Sequence, residues 1–224
     1  MDGHWVWGGS VVRGEDGRYH MFASRWPRRL PFFDGYRTRS EVVRAVADAP
    51  GGPYAFREVV LPARGPEHWD GRMTHNPTIH RCGGIYLLFY IGSTYAGPQP
   101  SARELRPGLT SAPDESYANI RIGLATAHSV FGPWRRSPEP VLCPRPGKWD
   151  GFVVTNPAPC VLEDRRILLL YRSNTPDGLR IGAAVADGPD GPFERISDGP
   201  VLRLEGRGHV EDPCVWRAGD HFEL

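Results

Sequence analysis

Glu211 and Asp212 stand side by side in the run Val210-Glu211-Asp212-Pro213, and two further acids, Asp70 and Asp150, occupy matching places elsewhere in the chain. Each of the latter is the centre of a Trp-Asp-Gly triplet whose Trp, 69 or 149, lies seven residues before an Asn-Pro dipeptide, Asn76-Pro77 or Asn156-Pro157. Carboxyl groups that a fold can bring together suit general acid–base chemistry, in which one donates a proton to a leaving group and another withdraws one from a nucleophile. Adjacent acids such as Glu211 and Asp212 repel one another, so a site that keeps both points to use rather than to capping. For Asp70 and Asp150 two readings stay open: a catalytic base, or a structural turn that recurs because the fold needs it.

These motifs sit inside an internal repeat, and the repeat decides the architecture. The segments EHWDGRMTHNPTIHRCGGIYLLFYIGS from Glu67 and GKWDGFVVTNPAPCVLEDRRILLLYRSN from Gly147 both place Trp-Asp-Gly seven residues before Asn-Pro. In HVEDPCVWRAGDHFEL from His209, Asp212-Pro213 replaces Asn-Pro, and the opening WGGSVVRGEDGRYHMFASRW puts Gly8 and Gly9 there. A second signature follows each complete unit: EVVRAVADAPGGPYAFREVVL, IRIGLATAHSVFGPWRRSPEPVL and LRIGAAVADGPDGPFERISDGPVL, each reading strand, Gly-Pro-aromatic turn, strand. Four short strands per unit and no helical periodicity predict an all-β fold, a β-propeller of four-stranded antiparallel blades. The blades span residues 5–62, 75–143 and 155–202, with 210–224 supplying part of a fourth, all within a single domain 1–224. Since a propeller closes to remove its edges, this predicts a longer, five-bladed chain of which the C-terminal part is missing. A β-sandwich is the alternative, but it leaves the repeated Gly-Pro-aromatic turns unexplained. Tyr95–Tyr117 is a polar insertion long enough to be a lid or to lack order.

Composition bounds the partners. With 27 basic against 26 acidic residues and no basic run, nothing in the chain attracts nucleic acid or an anionic membrane. The 27 glycines and 23 prolines are spread between apolar runs, as a turn-rich β protein requires. Cys82, Cys143, Cys160 and Cys214 lie far apart, without metal-ligand spacing, so no bound metal is expected; a central structural cation such as calcium remains compatible. Reduced thiols and an N-terminus without signal-peptide features point to the cytoplasm, and the longest apolar run, Ile167–Tyr171, is far too short to span a membrane.

Propeller geometry then sorts residues by face. If each blade's first strand starts on the upper face near the axis, that face gathers Trp7, His75, Asn76, Asn156, Glu211 and Asp212 at strand starts. Asp70, Asp150 and His209 join it from the links between blades, and Arg25, Trp26 and Arg172 from the loops after second strands. The lower face receives the Gly-rich hairpins and the Gly-Pro-aromatic turns.

The pattern x-Asp/Asn-Pro, apolar strand, Gly-x-Tyr resembles the five-bladed glycoside hydrolases, the broad group holding families 43, 62, 32, 68, 117 and 130. The resemblance implies a carbohydrate substrate and carboxylates at inner-strand starts pointing into a central funnel. VEDP matches best, whereas Gly8, Asn76 and Asn156 depart from the pattern where carboxylates, including the base, are expected. On this reading Glu211 is the acid and Asp70 or Asp150 the base. His75, His209, Asn76, Asn156, Arg25 and Arg172 would bind hydroxyls or line the rim, and Trp7 and Trp26 would stack on sugar rings. Each also has a plainer explanation as a satisfied polar residue, a surface charge or a packing aromatic. The alternatives are a glycan phosphorylase, or a propeller that binds glycan or protein without catalysis.

Overall fold

The computed structural model describes residues 1–105, 108–205 and 208–224. The first blade is β1 (His4–Arg13), β2 (Tyr19–Pro27), β3 (Glu41–Ala47) and β4 (Ala55–Leu61), with helix α1 (Phe32–Arg39) between β2 and β3. The second is β5 (Met73–Cys82), β6 (Ile85–Ser93), β7 (Arg121–Ala127) and β8 (Arg135–Arg136), with α2 (Ala112–Ala118) between β6 and β7. The third is β9 (Thr155–Val161), β10 (Ile167–Thr175), β11 (Gly178–Ala186) and β12 (Glu194–Arg195); β13 (Trp216–Ala218) and β14 (His221–Glu223) form a hairpin after it. Each four-stranded sheet is antiparallel in simple sequential order, the meander of a propeller blade.

Middle strands are buried on both faces because neighbouring blades cover both. In β6, every residue from Tyr86 to Ser93 is buried. The cores accordingly lie between blades. Phe22, Val42 and Leu61 of the first pack on Ile79, Leu88 and Tyr90 of the second. Leu87, Phe89 and Ile122 of the second pack on Leu169, Tyr171 and Ala184 of the third. Hydrogen bonds cross the same seams near the axis: Ile79 N donates to Ser10 Oγ at 3.1 Å and Thr78 Oγ1 to the Pro157 carbonyl at 2.7 Å.

The absence of helix predicted from periodicity is corrected by α1 and α2. Both are of two turns, too short for a 3.6-residue pattern to declare itself, and such helices are held by packing rather than propensity. Here α1 buries Gly35 and Thr38, and α2 buries Ala112, Pro113 and Ser116. The two are clamped together where Ser116 Oγ donates to the Arg37 carbonyl at 2.5 Å and Arg37 approaches Asp114 at 3.4 Å. Both helices occupy the loop after a second strand, so both stand on the upper face. All four cysteines are free. Among the described residues no helix is long and apolar enough to cross a membrane.

Candidate active site in the funnel

One backbone feature recurs at the equivalent position of each repeat, within β1, β5 and β9 and four residues before β13. Gly8, Asn76, Asn156 and Asp212 have φ of +57°, +46°, +50° and +52°. This left-handed region is costly for most residues and is visited chiefly by Gly, Asn and Asp, which accounts for the residue types at the four positions. A bulge accompanies it, since the register shifts between Trp7 and Ser10, between His75 and Thr78, and opposite Asn156 between Leu170 and Arg172. Bulges re-aim side chains. Here the residues preceding the left-handed one, Trp7, His75, Thr155 and Glu211, all line one cavity of about 420 Å³ together with Asn76, Asn156 and Asp212. A second cavity of about 340 Å³ continues past them, with Trp7, Asn76, Asn156 and Asp212 lining both.

The convergence expected from the repeat is therefore present: Glu211, Asp212, Asn76, Asn156 and His75, far apart in sequence, share one cavity, as do Trp7, Trp26 and Arg172. Glu211 and Asp212 are the carboxylates among its described lining residues. Neither is idle. Arg172, nine-tenths buried, forms an ion pair with Glu211, and Asn156 Nδ2 donates to Asp212 Oδ1. Thr155 Oγ1 donates to Asn156 Oδ1 at 2.9 Å, fixing the amide's orientation, and Asn174 Nδ2 donates to the Tyr117 hydroxyl at 2.9 Å.

His75 is buried between rings: Tyr36 stacks on it at 4.8 Å, Trp26 meets its edge at 5.4 Å, and Nδ1 shares a hydrogen bond of 2.8 Å with Ser40 Oγ. Burial pushes its pKa down to about 3, so the ring is neutral near pH 7 and cannot serve as an imidazolium acid there. An aromatic wall completes the cavity. Phe32 packs edge-on against Trp26 at 5.0 Å and Trp7 at 5.6 Å, while Trp7 and Phe33 stay 47% and 66% exposed at the rim.

The structure places four expected residues elsewhere. Asp70 and Asp150 have no exposed surface and lie in clips between blades. Asp70 accepts from Arg64 Nε at 2.7 Å, Tyr90 Oη at 2.8 Å and Arg136 Nη1 at 3.1 Å. Asp150 accepts from Arg145 Nε at 2.9 Å, Tyr171 Oη at 2.8 Å and Arg195 Nε at 2.9 Å. Burial opposes ionisation of Asp150, but the Arg145 and Tyr171 hydrogen bonds and the charge of Arg195 outweigh it and hold its carboxyl below the ordinary value. With every approach filled and no share in the cavity, these two are placed as structural turns rather than bases. Arg25 pairs with Glu41 and lines a neighbouring cavity instead. His209 is exposed in the link before β13 and is not among the cavity's lining residues.

Sequence reasoning missed Phe32, Phe33, Tyr36 and Arg37 of α1, and Tyr117 at the end of α2, all of which line the cavity. The available signal was Phe32 and Tyr36 at an i, i+4 spacing, which puts both on one face of a helix.

No family model and no curated protein sequence matches the chain. Solved structures do. A family 117 glycoside hydrolase of the marine bacterium Zobellia galactanivorans, Zg3597, superposes with a TM-score of 0.68 at 21% identity over 86% of this chain and 55% of that one. A structure described simply as a glycoside hydrolase gives 0.70 at 17% identity over 99% of this chain and 65% of that one. The native arabinanase of Bacillus subtilis gives 0.60 at 14% identity over 97% and 67%. The chain thus spans about 55–65% of the length of the first two. Identities this low establish architecture: the chain has the β-propeller fold found in glycoside hydrolases.

Proposed function

We propose that this protein is a glycoside hydrolase acting on an oligo- or polysaccharide in the funnel. The observation that carries the reading is the meeting of Glu211 and Asp212 with Trp7, His75, Asn156 and Arg172 around one cavity at the inner-strand starts. Glycosidic cleavage needs one carboxyl group to protonate the leaving oxygen and a second to activate water or attack the anomeric carbon. Glu211 takes the first role. Its pairing with Arg172 gives it a fixed position, and proton donation requires that substrate entering the cavity part this ion pair. Asp212 takes the second role, oriented by Asn156, now that Asp70 and Asp150 lie outside the cavity. Trp7 and Phe33 offer exposed ring faces for a sugar to stack on.

A non-catalytic glycan-binding propeller is the second reading, and one observation favours it: both cavity carboxylates already have partners, and Asn76 and Asn156 stand at the equivalent positions. Reducing-sugar release across a panel of plant and algal glycans separates the two. Hydrolysis by the wild type that falls at least a thousandfold in Glu211→Gln, with unchanged circular dichroism, supports the enzyme. Retention of glycans without turnover supports the binding module.

A further inference from the structure

Beside the funnel, on the seam between the first two blades, lies a separate cavity of about 250 Å³ whose wall is strongly one-signed. Arg25, Arg39 and Arg72 line it, and Glu41 is the one carboxylate among its described lining residues. The chain as a whole carries 27 basic against 26 acidic residues, so the clustering is local and not the by-product of a basic protein. Glu41 is already taken by Arg25, whose Nε donates to it at 2.9 Å. Arg39 and Arg72 have no carboxylate partner among the described residues. Each uses one nitrogen on a backbone carbonyl of the insertion, Arg39 on Pro100 and Arg72 on Gly97, the latter at 2.6 Å. Arg72 also lies over the Tyr95 ring, its guanidinium carbon 5.2 Å from the centroid.

Three guanidinium groups around a cavity with one carboxylate leave an excess of positive charge that a bound anion would balance. The crowding is felt: burial, and then the charges of Arg29 and Arg72, hold Arg39 below its ordinary value against the opposing influence of Tyr95. Guanidinium groups present planar N–H forks that match the oxygens of a carboxylate or sulfate. Trp26 lines both this cavity and the funnel, so a ligand in one lies a single side chain away from a ligand in the other.

We propose that the Arg25–Arg39–Arg72 cavity binds an oxyanion, a carboxylate or sulfate group carried by a glycan whose adjoining sugar occupies the funnel. The glycan half of this statement rests on the hydrolase reading above; the oxyanion half does not.

Isothermal titration of the full chain with inorganic sulfate, with glucuronate and with glucose, at ionic strength held constant by sodium chloride, tests it. Sulfate and glucuronate should bind and glucose should not. Arg72→Met should weaken anion binding at least tenfold. Because Arg72 also anchors the insertion, the complementary variant is Glu41→Gln, which removes the cavity's carboxylate and should tighten binding severalfold, a gain that misfolding cannot produce. Binding of only one anion supports the site and names the group it takes. Absence of heat with both anions, or an affinity that neither variant moves, overturns the proposal. Sulfate binding by a chain that hydrolyses no glycan keeps this site and removes the hydrolase reading; hydrolysis by a chain that ignores both anions does the reverse.

Discussion

His75 shows how a single residue can carry both the site and a pH dependence. Enclosed by Tyr36, Trp26 and Ser40, its imidazole must stay neutral until pH approaches about 3, whereas in the unfolded chain it takes up a proton near pH 6.5. Between those limits the unfolded state binds the proton, so His75 lowers stability progressively as pH falls below about 6.5, and its penalty is absent above that value. Replacing it with Gln should flatten the fall of the urea midpoint between pH 6.5 and 4.5; parallel curves for wild type and His75→Gln would refute the assignment. A second residue-scale outcome follows from the left-handed backbone at Asn156, φ +50°. Alanine there meets a steric cost of about 1–2 kcal/mol that glycine escapes. Both lose the bond to Asp212, so Asn156→Ala should melt below Asn156→Gly. The opposite order would mean that the backbone relaxes away from the left-handed region.

At the scale of elements, the Trp-Asp-Gly triplets are one device used twice. Trp69 stacks on Tyr90 at 5.9 Å and Trp149 on Tyr171 at 6.0 Å, while each Asp gathers a Tyr hydroxyl and two arginines from its own blade and the preceding link. The close fit explains accompanying glycines: a Cβ at Gly123 would sit 2.5 Å from Trp69, and one at Gly182 would sit 2.4 Å from Tyr171. Removing the charge of Asp150 leaves Arg195 without its carboxylate partner and Arg145 with only the exposed Asp198 at 3.5 Å, so Asp150→Asn should cost about 3 kcal/mol in urea unfolding. Glycan hydrolysis per folded molecule should not change, whereas a loss matching that of Glu211→Gln would restore Asp150 as the base. The repeat spacing made these triplets visible in the sequence but not their purpose, because a turn aspartate and a catalytic one differ only in what surrounds them. Strands were legible for the opposite reason: apolar runs such as Ile167–Tyr171, bounded by the charged turn 163–166 and the polar turn 174–178, have few other ways to be buried. The α1 wall of the cavity left only one pair to read, Phe32 and Tyr36 at i, i+4, since two turns of helix hold no longer period and their order comes from contacts with β2 and α2.

At the scale of the whole molecule, a propeller buries apolar surface by stacking blade on blade, and the surfaces without such a neighbour govern how this chain behaves in solution. Inner strand β1 has no buried residue, and it leaves Val6, Trp7 and Val11 at 46%, 47% and 39% exposure, in contrast to β6, buried from Tyr86 to Ser93. Beyond the third blade, Trp216 and Phe222 of the β13–β14 hairpin are 49% and 47% exposed, and Val201 is 43% exposed. Apolar patches beside strands with open hydrogen-bonding edges favour pairing with another chain. The 224-residue chain should therefore self-associate, its weight-average mass in sedimentation equilibrium rising with concentration through the micromolar range. Val6→Lys on β1 and Phe222→Lys on β14 each place a charge in one of these patches and should shift the equilibrium toward monomer without lowering the unfolding midpoint, since neither side chain belongs to an inter-blade core. A wild-type chain that remains monomeric at high concentration would show that these surfaces, exposed and apolar as they are, do not act as interfaces.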